Sequence, residues 1–222
     1  MRNPWLDIPE ADYVGHMSSP AVGQGAVLGR LFGEALASVR PAVVLVLGCS
    51  TGNGLEHVDP AVTSRVVAVD VNPMYLTRLQ ARLPNPRFEL DIRCGDVSEI
   101  VLERETYGLV HAGLLFEYVD WFGLLPHLAL ALAPGGVLSV VLQVPSASTP
   151  AVTPTAFTSL RALESLFRFV EPAALADAAA GEGLSLKLRR TEALPAGKSF
   201  EVLHFVKALA GCGRSSGSGD SW

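Results

Sequence analysis

Short apolar runs alternate with stretches of helical spacing along most of the chain. Residues 42–47 read AVVLVL and residues 65–69 read RVVAV. Continuous runs rich in valine are typical of strands buried on both faces of a parallel sheet. The same pattern predicts further strands at 88–94, 107–112, 137–142, 184–191 and 200–206, the last two joined by a hairpin-like connection.

Helical periodicity fills the intervals between these strands. Apolar residues recur at helical spacings over 20–39, from Pro73 through Leu83, and over 121–132, 157–169 and 172–180. Another helix is expected directly after the glycine-rich turn at 48–54. This alternation predicts an α/β protein with a doubly wound, mostly parallel sheet and helices on both faces.

Composition indicates one packed domain. With 49% hydrophobic and 18% charged residues, most of the chain is expected to fold. We expect residues 1–40 to form an N-terminal cap segment and helix, and residues 41–207 to form the main domain. Residues 208–222, which end in GCGRSSGSGDSW, offer little apolar surface and are expected to be a disordered tail.

Charge and cysteine content exclude several classes of function. A net charge of −5 gives no broad positive field for a phosphate backbone, which argues against nucleic acid as partner. No apolar run reaches the roughly 18 residues of a membrane span, and the N-terminus lacks a signal-peptide core, so a cytoplasmic location is expected. The three cysteines form no CxxC pair, and no cluster has the spacing of metal ligands.

A glycine-rich loop follows the first predicted strand in VLVLGCSTGNG. Gly48, Gly52 and Gly54 give the spacing G-x-x-x-G-x-G, whereas a dinucleotide site reads G-x-G-x-x-G. A nicotinamide-dependent oxidoreductase is therefore disfavoured. The lysine and serine or threonine of a P-loop are absent as well.

An aspartate follows each of the next two predicted strands. Asp70 can accept hydrogen bonds from the hydroxyls of a ribose, and Asp96 can accept one from the exocyclic amine of adenine while Val97 packs against the ring. Each aspartate alone is also explained by a turn or a helix cap. Together with the loop they predict a nucleoside site, because ligands of open α/β sheets bind at the carboxyl ends of strands.

These segments resemble the motifs of class I S-adenosylmethionine-dependent methyltransferases of the small-molecule type. VLVLGCSTGNG resembles the first motif, VVAVDVNP the acidic second-strand motif, RCGDVSEI the adenine motif and LALALAPGGVLSVVLQ the fifth-strand motif. The resemblance implies a Rossmann-like seven-stranded sheet with an antiparallel last strand, S-adenosylmethionine as cofactor, and in-line methyl transfer to a small molecule. It implies the following cofactor-binding residues: Gly48, Cys49, Ser50, Gly52, Asp70, Val71, Asp96 and Val97.

Three positions depart from the family pattern. Val46 stands where many members carry an acidic residue, Ser50 where they carry glycine, and Gly108 where an aspartate often begins the fourth strand. These departures leave open an alternative, a non-catalytic regulatory protein that binds S-adenosylmethionine.

Candidate catalytic residues lie in two segments. Glu117 and Tyr118 follow the fourth strand, where small-molecule members often place substrate-facing side chains. His16 lies in the segment from Asn3 to Met17, which we expect to cover the cofactor as a lid, and it is a candidate general base. A packing role for His16 is the alternative, whereas His111, inside an apolar strand, is expected to be a hydrogen-bonded core residue.

Overall fold

The sheet has seven strands in the order β3-β2-β1-β4-β5-β7-β6. We describe a computed structural model over residues 3–146, 150–194 and 197–209. The strands are β1 Val43–Leu47, β2 Arg65–Asp70, β3 Glu89–Cys94, β4 Tyr107–Gly113, β5 Leu132–Gln143, β6 Leu184–Ala193 and β7 Ser199–Lys207. β1 to β5 pair in parallel, and β7 is antiparallel to both β5 and β6. The predicted fold class is confirmed.

Five α-helices and three short 3₁₀ helices are found within the described residues. The α-helices are α1 Glu10–Ser18, α2 Gln24–Val39, α3 Pro73–Arg82, α4 Trp121–Ala131 and α5 Pro172–Gly181. The 3₁₀ helices are Pro4–Asp7, Leu55–His57 and Thr158–Ser165. The helix predicted over 20–39 begins only at Gln24, since Gly23 before it has a φ of +61°.

The helix expected directly after the glycine loop is absent, and that prediction was wrong. A single 3₁₀ turn, Leu55–His57, replaces it. α2, which precedes β1 in the chain, packs against the loop instead: a Cβ on Gly54 would lie 3.2 Å from Gly29 Cα. The two segments approach too closely there for a side chain at Gly54, and α2 covers the face that the missing helix would have covered.

Apolar clusters cover both faces of the sheet. On one face, α4 and α5 bury Leu124, Leu128 and Leu175 against β1, β2, β4 and β5. On the other face, α2 and α3 bury Phe32 and Leu79 in a second cluster. This packing holds the carboxyl ends of the central strands in fixed positions, because the strands can shift only by opening a core without voids.

Two predictions concern the ends of the chain and membranes. No helix in the ranges that the structure describes is long and apolar enough to cross a membrane. Most of the predicted tail, residues 210–222, lies outside the described residues, as does part of the connection between β6 and β7 at residues 195–196.

Candidate functional site

A cavity of about 340 Å³ opens at the carboxyl ends of the parallel strands. Its volume is within the range of small-molecule sites. Gly48 after β1, Asp70 at the end of β2 and Asp96 after β3 all line it, as predicted from the sequence. The N-terminal segment and the chain after β4 and β5 form the rest of its wall.

The glycine loop contributes backbone to the cavity. Gly48 has a φ of +62° and Ser50 one of +50°, so both occupy the left-handed region, and both line the cavity. Gly52 and Cys49 do not line it. A Cβ on Gly52 would lie 2.9 Å from Leu79 Cγ, so close packing explains why glycine stands at this position. Cys49 is buried, and burial raises the pKa of its thiol well above the ordinary value.

Asp70 holds the loop in its shape. Its Oδ2 accepts a hydrogen bond from the Ser50 backbone N–H at 2.8 Å, and its Oδ1 accepts one from the Asn72 N–H at 2.9 Å. Burial raises the pKa of this carboxyl, and the backbone donors oppose that shift. Each carboxylate oxygen has a second lone pair, so the group can still accept hydrogen bonds from a ligand.

Three further predicted residues line the same end of the cavity: Val71, Asp96 and Val97. Asp96 Oδ1 accepts hydrogen bonds from the Ser98 backbone N–H at 2.9 Å and from Ser98 Oγ at 2.7 Å. Oδ2 makes no hydrogen bond within the described residues, and a ligand donor can approach it. The turn and the ligand role of this aspartate are therefore compatible.

The N-terminal segment, which we predict to be a lid, forms part of the cavity wall. Asn3, Trp5, Tyr13, His16 and Met17 all line it. The Trp5 ring contacts the Tyr118 ring at a centroid distance of 5.1 Å, and Tyr13 contacts Tyr75 at 5.1 Å.

Asn72 ties this segment to the sheet. Its Nδ2 donates to the backbone oxygens of Trp5 at 2.9 Å and Ile8 at 3.4 Å, while its Oδ1 caps α3 by accepting from the Met74 N–H. Sequence reasoning missed this residue, because an asparagine before a proline is fully explained by the helix cap it provides.

His16 is the histidine of the lid. It is buried, and its Nδ1 lies 3.0 Å from Thr155 Oγ1. Burial lowers the pKa of His16, and the nearby Lys198 lowers it further. The imidazole is therefore neutral at neutral pH, which is the state that accepts a proton.

Tyr118 and Glu117, which follow β4, lie in different places relative to the cavity. Tyr118 lines the cavity, and burial raises the pKa of its phenol, which stays protonated. Glu117 does not line the cavity. Its Oε1 accepts a hydrogen bond from the Gln143 backbone N–H at 2.7 Å, its Oε2 is buried without a partner within the described chain, and burial raises its pKa to about 7.

His111 lies in the core, as expected. Its Nδ1 is 3.2 Å from Ser139 Oγ, its ring stacks on Phe32, and burial lowers its pKa to about 3. No group of three or more histidine, cysteine, aspartate or glutamate residues within the described ranges is arranged to hold a metal ion.

Several cavity residues were not predicted from the sequence, among them Gln24, Leu114, Gln143 and Lys198. Leu114 follows β4 with a φ of +53°, a strained conformation for leucine at a site wall. Gln24 begins α2, Gln143 ends β5 and Lys198 directly precedes β7. Their only signal is a polar side chain at an element boundary, which occurs at many other positions.

Comparison with known proteins agrees with this geometry. The family described as "Methyltransferase domain" matches residues 44–136. The trans-aconitate 2-methyltransferase of Variovorax paradoxus is 36% identical over 101 residues, which is 45% of this chain and 38% of that protein. The chain therefore aligns with less than half of that relative's length. The matches therefore support a methyltransferase domain over residues 44–136 of this chain.

Solved structures of methyltransferases share the fold. An S-adenosylmethionine-dependent methyltransferase from Mesorhizobium loti matches with a TM-score of 0.61 at 16% identity, covering 78% of this chain and 96% of that one. The N-methyltransferase NodS from Bradyrhizobium japonicum, solved with S-adenosylhomocysteine, gives a TM-score of 0.62 at 16% identity and covers 83% and 87%. At such identity these matches support the fold alone.

Proposed function

We propose that this methyltransferase-family protein transfers the methyl group of S-adenosylmethionine to a small molecule. The carrying observation is a single cavity that joins three strand-end groups, Gly48, Asp70 and Asp96, to a lid bearing His16. The residues present fit the cofactor. Asp70 suits its ribose, Asp96 and Val97 suit its adenine, and the backbone at Gly48 allows close approach of its methionine part.

Methyl transfer is an in-line displacement, so positioning accounts for much of its rate. S-adenosylmethionine supplies an electrophilic methyl group, and the leaving sulfide needs no proton. Trp5, Tyr13 and Tyr118 line the cavity with aromatic surface that excludes water and favours a sulfonium cation. Tyr118 is proposed to orient the acceptor, and Glu117 to act indirectly, by fixing the backbone of Gln143.

His16 is proposed to accept the proton of a hydroxyl or amine acceptor. We expect His16→Gln to lower kcat by about 100-fold or more while changing S-adenosylhomocysteine affinity less than twofold. Because the pKa of His16 is lowered, wild-type kcat should fall only below its ordinary value of 6.5. A matched variant, Thr155→Val, removes the ring's hydrogen-bond partner and should give a smaller loss. Equal losses of kcat and cofactor affinity in His16→Gln would instead indicate packing.

The non-catalytic alternative rested on Val46 and Gly108. Neither residue lines the cavity, and both have packing explanations. Val46 is buried in an apolar cluster with Phe32, and a Cβ on Gly108 would lie 3.1 Å from Pro41 Cβ. These two departures therefore give no reason to expect a disabled site.

The deciding experiment combines binding and turnover. S-adenosylmethionine and S-adenosylhomocysteine should raise the melting temperature, whereas NAD should not. Radiolabelled methyl transfer is then measured over a panel of small-molecule acceptors, which should include trans-aconitate because the curated relative is named for it. Binding without transfer to any acceptor would support the regulatory alternative, and absence of binding would overturn the proposal.

A further inference from the structure

Lys198 places a buried ammonium group in the wall of the cavity. Its relative exposure is 4%, and its Nζ donates to the backbone oxygen of Ala151 at 2.8 Å and to Gln143 Oε1 at 3.3 Å. Both acceptors are neutral. An ammonium group carries three donors, so one remains for a ligand.

Lys198 has no ion-pair partner within the described residues. Lys207, at the other end of β7, makes a comparable bond to the Leu132 backbone oxygen but also lies 3.7 Å from Glu105 Oε1. Burial alone lowers the pKa of Lys198 to about 8, so the group is still mostly protonated at neutral pH. A buried cation without an anion is costly, and such a group is stabilised when an anion binds beside it.

The neighbouring side chains orient this cation. Gln24 Nε2 donates to Gln143 Oε1 at 3.3 Å, and Gln143 Nε2 donates to the Ala151 oxygen at 3.0 Å. The Gln143 amide is thus fixed with its oxygen toward Lys198. His16 is a titratable neighbour of Lys198, and the charge of the lysine helps to lower the pKa of His16. Asp70 and Asp96 belong to the strand-end side, where backbone and serine donors engage them.

We infer that Lys198 binds a carboxylate of the methyl acceptor, so that the acceptor is a small organic acid. The inference rests on the proposed methyl transfer and names its substrate class. A carboxylate beside Lys198 would gain a charge-assisted hydrogen bond in a site shielded from water, whereas a cationic amine would meet an unfavourable like charge. The cofactor's own methionine carboxylate is the competing source of such an anion, and the test separates the two.

The test compares two variants that each replace a lysine by a neutral residue: Lys198→Met at the buried lysine and Lys207→Met at a half-buried one. Calorimetry first measures S-adenosylhomocysteine affinity. The loaded proteins are then titrated with succinate, tricarballylate and trans-aconitate, and with the corresponding neutral amides. We expect wild type and Lys207→Met to bind at least one acid at least 10-fold more tightly than its amide. Lys198→Met should lose this preference and keep S-adenosylhomocysteine affinity within twofold.

The remaining outcomes are decisive as well. Loss of S-adenosylhomocysteine affinity in Lys198→Met would assign the lysine to the cofactor carboxylate and overturn the inference. The inference would also be overturned if the acids bound no better than their amides to wild type loaded with S-adenosylhomocysteine, or if no acid bound to it. Failure of the wild type to bind S-adenosylhomocysteine would overturn the proposed function instead. If Lys198→Met does not fold, Lys198→Gln, which keeps a donor, replaces it in the same comparison.

Discussion

The two halves of the cavity are built in different ways. The cofactor half, defined by Gly48, Asp70 and Asp96, comes from three successive strand ends, each next to its neighbour in the sheet. The acceptor half, defined by His16, Gln24, Gln143 and Lys198, comes from four elements spread over most of the chain. One half is a local motif repeated along a sheet edge, and the other exists only after the chain has folded.

Their charges differ in the same way. In the cofactor half, both oxygens of Asp70 already accept backbone N–H groups, so the carboxylate is compensated before any ligand arrives. In the acceptor half, the Lys198 ammonium meets only neutral oxygens. The cofactor half is thus organised in advance, while the acceptor half is completed electrostatically by its ligand.

Breaking the cofactor half should have the largest effect. In Asp70→Asn, an NH₂ group replaces one of the two carboxylate oxygens, so only one of the backbone N–H groups of Ser50 and Asn72 keeps an acceptor. The loop at Ser50, which has a φ of +50°, is then held less firmly, and a contact with the ribose is lost as well. We expect S-adenosylhomocysteine affinity to fall about 10- to 100-fold by calorimetry.

Asp91→Asn provides the matched control, because Asp91 is also an aspartate of the sheet but pairs with Arg93 and Arg65 away from the cavity. It should leave cofactor affinity unchanged. Wild-type affinity in Asp70→Asn would remove the aspartate from the cofactor site.

The contrast also explains what the sequence could predict. The strand positions and the placement of Asp70 and Asp96 at strand ends follow from buried runs and short-range spacing, which local chemistry determines. The antiparallel last strand was implied by the family resemblance. The helix predicted after the glycine loop was wrong, because Gly54 must approach Gly29 of α2, a contact between distant segments.

Lys198 and Gln143 illustrate the same limit within the site. Each ends or begins a strand in the sequence, where a polar residue is ordinary. Their shared contact with the Ala151 oxygen depends on the pairing of β5 with β7, which brings Gln143 opposite Phe200. Long-range pairing of this kind leaves no periodic signal in a single sequence.

Glu117 lies behind the acceptor half, where it accepts a hydrogen bond from the Gln143 backbone. Its pKa is raised from 4.5 to about 7, so the folded protein holds a proton that the unfolded chain releases in that interval. The contribution of Glu117 to the free energy of unfolding should therefore fall as pH rises from 5 to 8, by on the order of 1–3 kcal/mol. In urea denaturation, Glu117→Gln should lack this contribution, so that its pH profile differs from that of wild type, while the exposed control Glu99→Gln should retain it. An identical pH slope in wild type and Glu117→Gln would mean that Glu117 titrates normally.

Asn72 joins the two halves, and weakening it should have a smaller effect. Asn72→Ser keeps an oxygen to cap α3 but cannot make both donations to Trp5 and Ile8. We expect residues 3–18 to be cut faster by protease and S-adenosylhomocysteine affinity to fall about 3- to 10-fold. Unchanged helix content by circular dichroism would show that the cap survives. Equal protease sensitivity of wild type and variant, with bound cofactor, would argue against a lid held by Asn72.

The smallest effect is expected at Asp96. A substitution there tests the adenine end of the cofactor half separately from the ribose end. In Asp96→Asn the amide oxygen can still accept from the Ser98 backbone N–H, so the turn is retained. An NH₂ group then replaces the second carboxylate oxygen and meets the exocyclic amine of adenine, a pairing of two donors. S-adenosylhomocysteine affinity should fall about 2- to 5-fold, a modest loss because this carboxylate is partly open to water. Inosine carries an oxygen acceptor in place of the adenine amine. The ratio of adenosine to inosine affinity should therefore decrease in the variant, whereas a purely structural role for Asp96 would weaken both nucleosides by the same factor.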